Sequence, residues 1–362
     1  MNHPASASNT TARSAAAARI ARAGMLALIG IPMCGTALAQ SSIKISGAVD
    51  TGIAYFKTDT TSLWKMASGS IAASSLSFSG NEDLGNGYSA FFVMRDLFVS
   101  STGEISGTKL FGSEAKVGIK GAHGTVELGR LFNPTHQLLI FRSPSISNFA
   151  GAFNMGIGGA GYAPYWDNSV RYTTPNMNGF TALAQHSLSI LNAEALPPNK
   201  KDKVGSALGL QYAKGPLDLI GAIEQTRTQL VPQTDYTARR GSVAGIYDFK
   251  VAKLHAIYHQ QSYSGTGKPV DFNIKIIGTT IPFSPALKGT AEYGHKKYAS
   301  SRDAASFLGL GLFYNLSRRT ILYGQVVVLK NEGVNRQSIY RGPALLPGED
   351  ISGYTVGLRH SF

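Results

Sequence analysis

The sequence predicts an all-β fold, an antiparallel transmembrane β-barrel of sixteen strands. Three observations lead there. Apolar and polar residues alternate with period two through most of the chain, sixteen such segments can be counted, and the links between them alternate short and long.

The alternation is clearest in Leu76-Ser77-Phe78-Ser79, in Leu308 to Leu312, and in the last segment. There Tyr354, Val356, Leu358, His360 and Phe362 share one face, while Gly353, Thr355, Gly357, Arg359 and Ser361 share the other. Strands are expected near 43–56, 70–81, 87–99, 111–121, 124–132, 167–174, 179–189 and 205–213. The second half continues with 216–228, 240–249, 251–263, 270–282, 286–298, 304–315, 319–330 and 350–362. Short turns fall at Lys120–Gly124, Thr174–Gly179, Ala213–Pro216, Phe249–Val251 and Asn315–Arg319. Longer polar links fall near 57–69, 100–110, 190–203, 229–239 and 331–349. A soluble sandwich also alternates, but two rims of unequal loop length belong to an up-and-down membrane barrel. Sixteen strands enclose a water-filled lumen rather than a packed core.

Residues 1–39 are expected to be a cleavable secretory signal, leaving 40–362 as the barrel. Arg13, Arg19 and Arg22 precede the apolar run Met25–Met33 without any acid, and Ala37-Leu38-Ala39 ends the segment with small residues at the cleavage positions. That run is too short for a spanning helix, which needs about 20 residues. Cys34, the single cysteine, lies inside 1–39, so no disulfide framework is expected in 40–362. Pro32 and Met33 before Cys34 argue against a lipoprotein anchor.

The formal charge is +13, with 34 basic and 21 acidic residues. The bases are scattered singly or in pairs such as Lys200-Lys201 and Arg318-Arg319, with no basic helix or stripe, which argues against nucleic acid. Anionic headgroups and solutes are the expected partners. No cofactor or metal is expected. Gly156 to Gly161 fits G-x-G-x-x-G, but Tyr162-Ala-Pro-Tyr-Trp follows in place of a helix. His255 and His259 would lie about 13 Å apart on a strand. Glu82 and Asp83 sit in a rim turn, and no catalytic constellation is recognisable, so an enzyme is not expected.

Several segments, in order, resemble the trimeric porins of Gram-negative bacteria, especially their β-proteobacterial branch. They are Ile43–Ile53, Gly80–Gly87, Lys116–Gly121, Gly124–Arg130, Asp167–Tyr172, Ser317–Tyr323 and Gly357–Phe362. The resemblance implies a homotrimer in the outer membrane, in contact with lipopolysaccharide, passing small hydrophilic solutes by diffusion. It also implies a long third loop folded into the lumen as a constriction, and a terminal Phe362 read by the barrel-assembly machinery. The stretch Leu131–Trp166 occupies the place of that loop.

The family sets wall arginines against acids on the loop. Here Ser75, Ser79 and Ser113 stand at wall positions the family makes basic, and Arg95 stands where it usually has Glu. The loop has no Asp or Glu, and only His136 and Arg142 among Lys, Arg and His. It is rich in aromatics, among them Phe141, Tyr162 and Tyr165, and is flanked by Arg130 and Arg171. The expected pore is weakly positive and prefers anions or neutral solutes. The alternatives are a channel specific for aromatic or carboxylate solutes, or an adhesin or enzyme barrel.

Overall fold

A computed structural model describes residues 42–140, 142–144, 148–156, 162–190, 204–231 and 234–362. The expected signal segment 1–39 and Phe141 lie outside the described residues. Seventeen strand segments form one antiparallel sheet. They are β1 (Ser42–Thr58), β2 (Ser62–Ser68), β3 (Ser74–Gly85), β4 (Tyr88–Phe98), β5 (Glu114–Gly121), β6 (Gly124–Phe132), β7 (Tyr165–Thr173) and β8 (Phe180–Ser187). Next come β9 (Gly205–Lys214), β10 (Leu217–Val231), β11 (Thr234–Asp248), β12 (Lys253–Thr266) and β13 (Phe272–Pro282). The last are β14 (Leu287–Tyr298), β15 (Ala304–Asn315), β16 (Thr320–Glu332) and β17 (Ile351–Ser361). Consecutive strands pair, except that β2 and β3 both lie against β1, and β1 pairs with β17 from Ala48↔Ser361 to Thr58↔Ile351, which closes the sheet. No helix among the described residues is long and apolar enough to cross a membrane.

Seventeen segments make sixteen staves because β2 and β3 are halves of one. β1 meets β2 at Thr51↔Ser68 through Lys57↔Ser62, and β3 at Ser42↔Asn81 through Ala48↔Ser75. The expected strand at 70–81 and link at 57–69 are corrected here: the strand resumes at 62, the rim turn shrinks to the residues around Thr60, and the stave breaks at 69–73. Ser and Thr at 58–62 disguised the upper half as a loop, although Trp64 and Met66 alternate outward. The link at 229–239 is likewise a hairpin, with β10 reaching Val231 and β11 starting at Thr234. Above the bilayer polar residues continue a ladder as well as apolar ones do.

The break is organised by Asp50, buried on the inner face of β1. Its Oδ2 accepts from the amides of Ile71 (2.8 Å) and Ala72 (3.0 Å), and its Oδ1 accepts from the Tyr323 hydroxyl (2.6 Å). Three donors offset the cost of removing a carboxylate from water. They also turn the carbonyls of Ser70 and Ile71 toward the lumen, where they become acceptors for the third loop.

The two faces differ as the alternation requires. Leu308, Leu310 and Leu312 on β15, and Tyr354, Val356 and Leu358 on β17, are exposed outward, while Phe307, Val327 and Thr355 are buried inward. Aromatics collect at two levels of the outer wall: Phe180–Tyr212 and Tyr247–Phe249 near the short turns, and Tyr55, Trp64 and Tyr354 near the opposite rim. Such belts mark the two bilayer interfaces.

The long link after β16 is pinned to the β1–β2 tip by Glu349. Its carboxylate accepts from the Thr60 amide (3.1 Å) and the Leu346 amide (2.8 Å), as well as from the Thr60 hydroxyl. Hydroxyls of Thr58 and Thr60, with the Leu346 amide, hold its pKa down to about 2.

Two predictions follow from these contacts. Asp50→Ala orphans buried donors at about 1–3 kcal/mol each, so the folded electrophoretic form should be lost at a lower temperature, with Asp50→Asn intermediate. Folding lowers Glu349 from 4.5 to about 2, so its contribution is complete above pH 4.5 and is lost as pH falls through about 2. The protection factor of the Thr60 amide, its exchange relative to the intrinsic rate at each pH, should fall over that window and stay flat in Glu349→Gln.

Candidate functional site

The described residues between β6 and β7 pack against inward-facing residues of the wall on several strands. Its neck is closed by Asn133, whose amide donates to Pro164 O (2.8 Å) and whose side chain donates to Ala163 O (2.7 Å). The same side chain caps a short helix, α1 (Pro134–Ile140), by accepting the His136 amide (2.6 Å). No helix was expected here. An Asn followed by Pro is nevertheless an N-cap and first-turn signal, and it was the local clue.

Arg171, buried on β7, bonds Glu127 of β6 at 2.6 Å and donates to Gln137 Oε1 on α1 at 2.7 Å. It therefore fixes the helix to the wall. The ladder continues sideways: Lys116 bridges Glu127 (3.0 Å) and Glu114 (2.7 Å), and Arg95 reaches Glu114 at 3.2 Å. Three cations share two carboxylates, a net +1. Arg95 is the most open member, with 38% of its side chain exposed against 5% for Arg171.

Arg130 pairs with Asp167, donates Nε to Gly112 O (2.8 Å) and lies 5.4 Å from the Tyr165 ring centre. Lys109 also holds Asp167, at 2.6 Å. Arg130 is thus part of the neck. Arg142 crosses to Asp218 on β10 (3.0 Å), and its carbonyl accepts from His255 Nδ1 on β12 (2.8 Å). Next to it, Ser143 donates to Glu292 on β14 (2.7 Å), and Pro144 O accepts from Thr280 on β13 (3.3 Å).

The return limb docks on the broken stave. Asn148 N donates to Ile71 O (3.1 Å), Phe149 N donates to Ser70 O (3.0 Å), and the Phe149 ring packs 5.6 Å from Phe56. At Gly309 a Cβ would stand 2.0 Å from Ala150 O, so only glycine admits the limb there. Tyr162 contacts His136 Nδ1 (3.0 Å) and lies under Arg240, which pairs with Glu224. Phe132 lies 4.6 Å from Tyr165 and stacks on His136 at 5.5 Å, while Phe149 and Trp166 are fully buried. The described aromatics hold the loop to itself and to the wall.

Ser75 and Ser79 share the inner face, opposite Ala48 and Lys44 of β1, whereas Ser113 is completely buried. Sequence reading missed the partners: Glu114, Glu127, Asp218 and Glu224 are scattered along the chain and meet the basic residues only through strand register or across the lumen, and Glu292 meets Ser143 in the same way. It also missed the inward cations that meet no carboxylate within 4 Å among the described residues. Lys44, Lys120, Lys288 and Arg359 lie toward the short-turn mouth, and Lys65 and Lys296 toward the other. No cluster of three metal-ligating side chains occurs among the described residues.

Known proteins agree with this architecture. The sequence signature of the Gram-negative porin family matches residues 23–334. The outer membrane porin protein 32 of Delftia acidovorans is 30% identical over 357 residues, covering 93% of this chain and 99% of its own length. The solved anion-selective porin from Comamonas acidovorans superposes with a TM-score of 0.79 at 26% identity, over 89% of this chain and all of that one. The trimer form of OmpT from Vibrio cholerae shares the fold, with a TM-score of 0.67 at 14% identity over 89% of this chain and 99% of its own. The chain therefore belongs to the Gram-negative porin family: it is a channel of the bacterial outer membrane, not an enzyme.

Proposed function

We propose that this porin is a homotrimer whose pore passes anions and neutral hydrophilic solutes ahead of cations, with 131–166 as its constriction loop. The observation that carries the reading is the inner-wall charge balance. Asp218, Glu224 and the Glu114–Glu127 ladder are each held by a cation, and Glu292 by Ser143, whereas Lys44, Lys120, Lys288 and Arg359 are not held by an acid. In a narrow, water-filled lumen with low-dielectric walls such uncancelled charge concentrates anions. The anion selectivity of the Comamonas relative and the trimeric form of OmpT support the reading. The aromatics that hold the loop support diffusion over a site specific for aromatic solutes. Residues 1–39 serve as the export signal, and Phe362, whose backbone pairs with Gly47 in both directions, serves as the assembly signal.

Bilayer reversal potentials in a potassium chloride gradient test the pore. The wild type should favour chloride. Arg95→Glu turns the ladder from three cations and two acids to two and three, and Arg142→Ala frees Asp218, so the double variant should shift toward potassium. A wild-type cation preference, or an unchanged potential in the variant, would sink the assignment.

The loop should also respond to acid. Burial holds the pKa of His136 down to about 4 from its ordinary 6.5. The seat of α1 is therefore fully supported above pH 6.5, and loses that support as pH falls through about 4. Single-channel current noise should rise across this window and remain flat in His136→Phe.

A further inference from the structure

The outer wall of the barrel carries a second feature, independent of the lumen. A concavity of about 820 Å³ opens on the lipid side across β7 to β12. Register explains it. One outward row reads Leu208, Ile223, Gly241 and Gln260, and the row beneath reads Leu210, Gly221, Val243 and Tyr258. A Cβ built at Gly241 would meet no atom within 4 Å, and one at Gly221 would barely reach Ser242 O at 4.0 Å. Missing side chains thus leave a furrow between exposed Ile223, Leu208 and Val243.

The furrow becomes polar toward the long-loop rim. The next row is Ser206, Gln225, Arg239 and Ser262. Arg239 donates Nε to Gln225 Oε1 (3.1 Å), which orients the guanidinium, and no carboxylate lies within 4 Å of it among the described residues. His186 and Ser206 bond each other at 2.9 Å beside it. Above, Asp235 is neutralised by Arg227 at 2.8 Å. Long loops face outward from the cell in such barrels, so this rim lies at the headgroups of the outer leaflet.

We propose that this furrow binds one phosphorylated lipid of the outer leaflet, with its phosphate on Arg239 and an acyl chain laid over Gly241 and Gly221. Charge complementarity selects that occupant. The outward row of Val243 and Tyr258 runs on through Lys275 to Lys330, so the wall beside the groove adds positive charge to that of Arg239. A guanidinium braced by an amide, above an apolar trough, matches a phosphate joined to a hydrocarbon chain.

Native mass spectrometry of the detergent-solubilised protein, titrated with dioleoyl phosphatidate or dioleoyl phosphatidylcholine, tests this. The wild type should retain one phosphatidate roughly five- to tenfold more tightly than the zwitterionic lipid. Arg239→Gln should remove that preference, Gly241→Leu should lower retention of both lipids, and Lys330→Gln should retain the preference. If Gly241→Leu does not fold, Arg239→Gln decides alone. Equal retention of the two lipids by the wild type, or an undiminished preference in Arg239→Gln, would mean annular lipid only and overturn the proposal. A change of oligomeric state in either groove variant would also overturn it, by making this face a subunit contact.

Discussion

Hydrocarbon offers a peptide group no hydrogen-bond partner, and the pairing of β1 with β17 is the interaction through which this chain meets that constraint. Eleven register pairs, from Ala48↔Ser361 to Thr58↔Ile351, join the two ends of the sheet. Without them both edges would lie open in lipid. Closure fixes which side of every strand faces inward, and that parity decides everything later placed in the lumen. It also explains how a lumen can hold so many charged groups: they face water and one another across an inner wall, with the apolar alternates turned outward.

Closure leaves one stave imperfect. Asp50 draws the amides of Ile71 and Ala72 out of the ladder, and the freed carbonyls of Ser70 and Ile71 receive the return limb of the third loop. A defect on one stave thereby becomes an anchor for the loop. The opposite anchors, Arg142 on Asp218 and Ser143 on Glu292, are charged or charge-assisted contacts within the lumen. Loop and wall are in this sense one polar network, and partly satisfied members of such a network carry a high energetic penalty.

The same network shapes the pore's field. Cations that position the loop, such as Arg171 and Arg142, are neutralised by the acids they bind, so they contribute little to solutes passing by. The field comes instead from residues with no acid partner and from the surplus charge of the Arg95 ladder. On the proposed reading, positioning the loop and setting selectivity fall to different basic residues of one wall.

The sequence by itself determined the class of fold, because a strand's period of two shows wherever one face meets lipid and the other water. Leu308 to Leu312 and Tyr354 to Phe362 were legible for that reason, as was the acid-free loop, which is a matter of composition. The order of charge, apolar run and small residues in 1–39 supports the proposed export. The broken stave was not, since its upper half lies in a polar rim where alternation fades, and Asp50 acts on residues 21 and 22 positions away. Nor was the fate of the arginines. Arg95, Arg130, Arg142 and Arg171 look alike in a string of letters, but Glu114, Asp167, Asp218 and Glu127 reach them only through register across neighbouring strands or across the lumen. Tertiary structure alone decided which charges cancel, because Coulomb energy depends on distances that closure of the barrel creates.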